Sequence, residues 1–370
     1  MVSDRVAARP TVLAAPDAFK GTASAPAVAA AMASGARRAG WGCDPCPLSD
    51  GGEGFADVLV AARPPGSSPG GAWHQSAVTG PLGSPVLASW WLADGVAVVE
   101  SAAASGLPLA GGAEGNDPLG ATTRGTGELL LAAAAAGARR VLVGVGGSAT
   151  TDGGRGALEA IEEAGGLRGI EVVVACDVET LFVEAAERFG PQKGATPGQV
   201  MELRDRLMRL AVELRGRYGV DVTALPGAGA AGGLAGGLAA LGATLVPGLG
   251  VVAESVDLLA RLARADLVVT GEGRLDSTSW SGKVVGGVVG AARSAGVPVL
   301  VVAGSIGPDA TEASGLGGGS TSRVDVEVLS LVDRFGEVRA LGDPIGCVAD
   351  VVGTALEERR GPSRSDEVPR

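Results

Sequence analysis

VLVGVGGSATTDGG, residues 141–154, runs from an apolar stretch straight into a glycine cluster that also carries Ser, Thr and Asp. Val141 to Val145 reads as a buried strand. A glycine-rich loop at the carboxyl end of such a strand has a physical use: with no side chains in the way, backbone N–H groups can close on an anion. In open α/β sheets ligands bind at that end of the strands. Gly146, Gly147 and Ser148 are therefore expected to hold negatively charged oxygens, with Asp152 in the same loop. Gly144, Gly146 and Ala149 also fit G-x-G-x-x-A, a loose dinucleotide fingerprint. Thr150 to Gly154 interrupts the helix that fingerprint requires, which argues against nicotinamide binding.

The pattern recurs along the chain. PDAFKG (16–21), SDGGEG (49–54), GPQKGA (190–195) and GEGRLD (271–276) with SGK (281–283) are further polar glycine clusters. Three of the five clusters, with AGS at 303–305, follow expected parallel strands; strands are expected at Val12 to Ala15, Asp44 to Leu48, Glu171 to Ala175, Asp266 to Thr270 and Val299 to Ala303. Helices are expected at Ala25 to Arg38, Glu53 to Ala62, Glu128 to Ala136 and Val284 to Ala295. Alternation of strand, loop and helix is the mark of a parallel α/β sheet. Trp73 to Thr79, Pro85 to Leu92 and Val96 to Glu100 instead read as strands joined by tight turns, an antiparallel section. Thr196-Pro197 opens a helix whose Val200, Leu203, Leu207, Leu210 and Leu214 face a core, and Gly219 ends it. A length of 370 residues with 46% hydrophobic content suits two domains with real cores. PPGSSPGG (64–71) is a plausible boundary, residues 311–323 read as low-complexity, and 361–370 as a disordered polar tail.

Of 30 basic residues only three are Lys, and each adjoins a glycine: Lys20, Lys193 and Lys283. An ammonium is a compact point charge, unlike the planar guanidinium fork. Three small cations on glycine-rich loops suggest sites for phosphate or carboxylate. Asp17, Asp50, Glu53, Asp152, Asp177, Glu272 and Asp276 fall in the same loops. Turn and cap chemistry explains any one of them; their grouping with Lys and Gly suits phosphoryl transfer, which needs cations on the phosphates, a carboxylate for Mg²⁺ and an orienter for the attacking hydroxyl. The single histidine, His74, lies away from these loops in AWHQS, so a carboxylate is the expected proton acceptor. No G-x-x-x-x-G-K-[ST] occurs either, which excludes a P-loop.

A net charge of −11 and 3% aromatic content argue against nucleic-acid binding. Residues 222–253 lack charge, but Pro226, Pro247 and many small residues make a buried Gly/Ala-faced helix the expectation rather than a membrane span. Cys43 and Cys46 have no second pair to complete a zinc site and read as two small residues along a strand. The N-terminus does not read as a signal peptide, so a cytoplasmic protein is expected.

Taken together, APDAFKG (15–21), LSDGGEG (48–54), ESAAASGL (100–107), NDPLGATTRGTGEL (116–129), GVGGSATTDGG (144–154), FGPQKGAT (189–196) and VTGEGRLD (269–276) resemble the bacterial glycerate kinases, in family order over nearly the whole chain. The resemblance implies a two-domain α/β fold. A flavodoxin-like parallel-sheet domain would be built from both chain ends (10–66 and 263–358), with a second α/β domain inserted in the middle (67–262) and the active site in the cleft between them. It implies ATP and Mg²⁺ as cofactors and phosphoglycerate as product, the 2-phospho isomer favoured. Lys20, Lys193 and Lys283 would neutralise phosphate and substrate carboxylate. Glu272 and Asp276 would serve Mg²⁺, and Asp50 or Asp177 would act as the base. Gly146, Gly147, Ser148 and Asp152 would bind substrate or phosphate, as would Arg124 and Arg274. Between Gly156 and Cys176 the chain is shorter than many members, and after ACDV (175–178) it carries Glu179 to Val183 in place of the usual Asn-Pro-Leu-x-Gly, so the resemblance carries no contact onto that segment. A homodimer stays open.

Two other readings remain at this point. A nicotinamide-dependent oxidoreductase of a small hydroxy acid needs a helix from Gly146 onward and an acid for the ribose, Glu162 or Glu163. A non-catalytic anion-binding relative would keep the ligand loops without chemistry.

Overall fold

The computed structural model describes residues 9–62, 71–280, 283–310 and 324–360. The low-complexity stretch, the polar tail, most of the 64–71 segment and two residues of SGK lie outside them. Among the described residues there are eleven strands: β1 Thr11–Ala14, β2 Gly42–Pro45, β3 Ala72–Thr79, β4 Pro85–Ala93, β5 Val96–Glu100, β6 Arg140–Gly144, β7 Glu171–Ala175, β8 Thr244–Val246, β9 Leu267–Leu275, β10 Val299–Ile306 and β11 Val326–Ser330. The contacts divide the chain into two units, residues 1–49 with 252–370, and residues 50–251. The first unit is thus drawn from both chain ends and the second is inserted. The divisions fall at 49/50 and 251/252, where the sequence suggested 66/67 and 262/263; SDGGEG is thereby parted, with Asp50 onward in the second unit.

The first unit holds a five-stranded sheet in the order β11-β10-β9-β1-β2, with every pairing parallel. Renumbered within the unit, that order is 2-1-3-4-5, the flavodoxin-like arrangement. The strand order reverses between β1 and β9, and the crevice at that switch point is where such sheets bind ligands. The helix Ala25–Arg38 covers one face. Ser24 caps its first turn by accepting from the Ala27 amide, and Val28, Ala29 and Met32 are buried. Packed with it around Val12, Ala14, Leu300 and Val302 are Val348, Val351 and Val352 from the helix Pro344–Arg360. Burying each such side chain stabilises by about 1.5–3 kcal/mol.

In the second unit six strands run β3-β4-β5-β6-β7-β8. The β3-β4-β5 part is antiparallel and β5 to β8 parallel. The antiparallel section is as the turns predicted. The helix Pro197–Tyr218 begins with a capping box, Thr196 and Gln199 satisfying each other's backbone, and ends at Gly219 in the left-handed region. Leu203, Leu207, Leu210 and Leu214 are buried along its inner face.

Two expectations are corrected. The strand after Asp266 does not stop at Thr270. Glycines of GEGR lie inside β9, which pairs with β10 as far as Ile306 and Leu275. A Cβ at Gly271 would overlap the Val302 carbonyl, and one at Gly304 the Gly273 carbonyl, so these glycines permit close strand approach rather than a loop. Residues 222–253 do not form one helix. They comprise short turns at Val222–Ala224 and Ala230–Gly233, a helix Leu234–Ala240, β8, and a helix Gly248–Ser255. Left-handed backbone at Ala231, Gly232 and Gly233 breaks the helical path. A Cβ at Gly237 would lie 2.5 Å from the Gly153 carbonyl. The run is small-sided because its backbone rests directly on the loop after β6. No helix among the described residues is long and apolar enough to cross a membrane.

Candidate active site

At the β1/β9 switch point of the first unit, the loop after β1 and the end of β9 are held together by main-chain bonds. Ala15 donates to Val269 O at 2.8 Å and Asp17 to Gly271 O at 2.9 Å. Asp17 is buried and its Oδ1 accepts from the Ala18 amide at 2.7 Å, so it shapes the turn. Gly273 packs on the Phe19–Lys20 backbone, where an added Cβ would come within 3.2 Å of two atoms. The result is an open pocket of about 390 Å³ lined by Lys20, Glu272, Arg274, Asp276, Lys283 and Ser305. Lys20 is thereby brought to four charged residues of the 272–283 segment, two acids, one arginine and one lysine.

Within this pocket Asp276 Oδ1 accepts from Thr278 N at 2.9 Å and Thr278 Oγ1 at 2.6 Å, and Lys283 Nζ donates to Thr278 Oγ1 at 2.6 Å. Burial opposes ionisation of Asp276, but the Thr278 donors and the Lys283 charge outweigh it and hold the carboxyl below its usual range. Glu272 goes the other way. Burial pushes it up, and Ser279, Lys283 and Lys20 offset that only partly. Its Oε1 is buried and accepts no hydrogen bond.

In the second unit the loop after β6 is the hub. Asp50 Oδ1 accepts from Gly52 N at 3.0 Å. A Cβ at Gly51 would come 2.6 Å from the Ala175 carbonyl, and one at Gly146 2.5 Å from Gly52 Cα. The Asp50–Gly54 turn therefore lies directly on the ends of β6 and β7. Asp177 Oδ1 accepts from Gly248 N at 2.8 Å and Leu249 N at 3.4 Å, tying the β7 and β8 ends together. Lys193 is 3% exposed, and its Nζ donates to Ser148 Oγ at 2.9 Å and Thr150 O at 2.6 Å. Burial lowers its pKa to about 7, against the pull of Asp152.

Several expected ligand residues are committed elsewhere. The Gly146 amide donates to Gly51 O at 3.3 Å, leaving Gly147, at φ 69°, outside that bond. Asp152 Oδ2 accepts from Thr123 N, Thr123 Oγ1 and Gly156 N at 2.8–3.1 Å, and Oδ1 from Gly154 N at 3.0 Å. Through the Gly156 amide it ties the first turn of the helix Arg155–Glu163 to Thr123. Arg124 bonds Glu128 at 3.1 Å and Glu163 at 2.5 Å. Both are thus engaged in bonds within the second unit. That helix begins only at Arg155, not at Gly146, and Glu162 and Glu163 are occupied by Arg217 and Arg124; the dinucleotide geometry is absent. His74 stacks on Trp90 with ring centres 4.5 Å apart, and burial raises the Cys43 and Cys46 thiols to about 11 and 12. All three are packing residues.

Two residues were missed. Asn116 Nδ2 donates to Ala149 O at 3.0 Å and Lys193 O at 2.9 Å. Glu100, at the end of β5, accepts from Ala56 N at 2.9 Å and so holds the helix after SDGGEG. Burial raises its pKa despite backbone donors at Ala56 and Gly54. Glu100 and Asn116 each open a stretch that carries the resemblance, ESAAASGL and NDPLGATTRGTGEL, but neither was given a role there.

The sequence profile described as the glycerate kinase family matches residues 12–165 and 163–333. The chain is 40% identical over 334 residues to glycerate 2-kinase of Escherichia coli strain K12, covering 80% of this chain and 86% of that protein. It is likewise 40% identical over 334 residues to glycerate kinase of Bacillus subtilis strain 168, with the same coverage. The crystal structure of a candidate glycerate kinase 2 from Salmonella typhimurium LT2 superposes with a TM-score of 0.74 at 34% identity, covering 95% of this chain and 98% of that one.

Proposed function

The chain belongs to the glycerate kinase family, and we propose that it transfers the γ-phosphoryl group of ATP to the 2-hydroxyl of D-glycerate. One observation carries the assignment of parts: Lys20, Lys283, Glu272 and Asp276 line one pocket at the switch point of the first unit. Phosphoryl transfer asks for that set, cations for the phosphate charge and one or two carboxylates for a hydrated Mg²⁺.

Lys20 and Lys283 bind the phosphates. Glu272 and Asp276 would hold Mg²⁺. The buried Glu272 Oε1 without a donor fits this role, and two carboxylates suffice for an ion that keeps much of its water. When bound, the ion neutralises charge on the phosphate oxygens. Glycerate sits at the loop after β6 in the second unit, its carboxylate on Ser148 Oγ–H and the Gly147 amide. Asp50, whose Oδ1 accepts a single amide bond, takes the hydroxyl proton as the new O–P bond forms and the bond to the ADP oxygen breaks; Asp177, with two amides on one oxygen, is the alternative base.

The test is ³¹P NMR of the product formed from ATP, Mg²⁺ and D-glycerate. A phosphomonoester signal split by one methine proton is expected. Splitting by two methylene protons would move the reaction to the 3-hydroxyl, and no ADP release would sink the assignment.

A further inference from the structure

Ser148 has one proton to donate, and what it donates to depends on what it accepts from. Here its Oγ accepts from the Lys193 ammonium at 2.9 Å. An ammonium has no lone pair, so this bond runs in one direction and turns the Ser148 proton away from Lys193. Lys193 itself is sealed in, 3% exposed, with a second donation to Thr150 O at 2.6 Å. The turn that carries it, Pro191–Lys193, is fastened to the same loop by Asn116, whose two amide protons reach Ala149 O and Lys193 O. Residues 148, 149 and 150 are thus each held by Lys193 or Asn116.

We propose that Asn116 and Lys193 are positioning residues that clasp residues 148–150, and that the Lys193 charge acts on the bound hydroxy acid only through Ser148, by keeping its hydroxyl aimed at the substrate carboxylate. This rests on the assignment of glycerate to the loop after β6.

The clasp has a built-in pH response. A neutral Lys193 amine gains a lone pair and can accept from Ser148, which reverses the bond and withdraws the donor from the substrate. Burial brings that change to about pH 7. Asp152 is the charged group that acts on Lys193, and it favours the ammonium. On the elements packed against the Pro191–Lys193 turn, Glu114, Glu187 and Arg188 are exposed, as is Asp117 beside Asn116.

The experiment measures kcat/KM for glycerate at saturating ATP, and for ATP at saturating glycerate, from pH 6 to 9. In the wild-type protein the glycerate value should fall by about tenfold per pH unit above the Lys193 transition, with the ATP value changing less than about twofold over the same range. In Ser148→Ala and Lys193→Met the glycerate value should be low and flat across that range. Asn116→Asp, which sets an oxygen against two carbonyls, should raise the glycerate KM at least about tenfold by loss of two buried bonds, with the ATP KM unchanged. Because the chain has three lysines, lysine-labelled protein gives three side-chain NMR signals, and one should titrate near neutrality even in a variant that turns over poorly. A flat wild-type profile, or an undiminished fall in Ser148→Ala, overturns the clasp while leaving the kinase reading intact. Failure of the wild-type protein to phosphorylate glycerate at any pH overturns the kinase reading and the clasp with it.

Discussion

The Lys283 ammonium donates to the Thr278 hydroxyl at 2.6 Å, and that hydroxyl donates on to Asp276 Oδ1 at the same distance. A cation and an anion of one pocket are thus coupled through a neutral relay rather than a direct ion pair. Lys283 keeps two further protons for a ligand, and Asp276 keeps its second oxygen.

From this coupling, Lys283→Ala should lower kcat/KM for ATP by about 10- to 100-fold, the loss of a charge-assisted bond worth about 1.5–3 kcal/mol. Lys20→Ala should act in the same direction, whereas Thr278→Val should lower it less, by releasing Asp276 from its donor. Steady-state kinetics with ATP varied at saturating glycerate checks all three. Wild-type values for both lysine variants would remove the cations from the mechanism.

Glu272 and Asp276 differ in what holds them. Asp276 is kept ionised by Thr278 and Lys283, whereas burial keeps Glu272 reluctant to ionise. Asp276→Asn should therefore raise the Mg²⁺ concentration needed for half-maximal activity. Glu272→Gln should do so too and should also remove an acid limb, because the wild-type carboxylate is lost as pH falls through its raised pKa. Mg²⁺ titrations at several pH values test this; unchanged metal dependence in both variants would take these residues off the ligand set.

How legible this was depended on range. Ala25–Arg38, Val284–Ala295 and Pro197–Tyr218 could be read because their caps and apolar spacing are local. The grouping of Lys20 with Glu272 and Asp276 was legible only as a shared residue type beside glycine, and resemblance supplied the rest. What escaped is what depends on distant backbone. Gly271 looks like a loop glycine until the Val302 carbonyl is seen against it. Asp152 looks like a ligand until Thr123 and Gly156 are found to occupy it. Asn116 acts through two carbonyls, and no spacing rule finds those.

Lys193 also makes a stability prediction with a definite sign. Its pKa is lowered from 10.5 to about 7 in the folded chain by burial. Between those values the unfolded chain holds the proton and the folded chain does not, so stability rises with pH there. Below about pH 7 both states are protonated and the burial penalty is fully present. Chemical denaturation at pH 6, 8 and 10 should show the wild-type protein gaining stability relative to Lys193→Met as pH rises. A difference independent of pH would place the lysine in a more solvated setting.

Gly248 and Gly216 differ in what surrounds them, neighbouring backbone at one and open space at the other. Gly248 sits so close to Asp50 that an added Cβ would overlap its carbonyl, a backbone atom that cannot swing away. Gly248→Ala should push the Asp50 turn off the β8 end and disturb the Gly248 N–Asp177 bond, costing about 1–3 kcal/mol as overpacking does. Gly216 lies exposed in the helix Pro197–Tyr218 with nothing within 4 Å of an added Cβ. There Ala removes backbone freedom from the unfolded chain and improves helix propensity, so Gly216→Ala should stabilise by about 0.5–1 kcal/mol. Urea denaturation of the two variants should move the midpoint in opposite directions. Because Asp50 is the proposed base, Gly248→Ala should also lower kcat, while Gly216→Ala leaves it unchanged; equal behaviour of the two would mean that the Asp50 turn is not held by that contact.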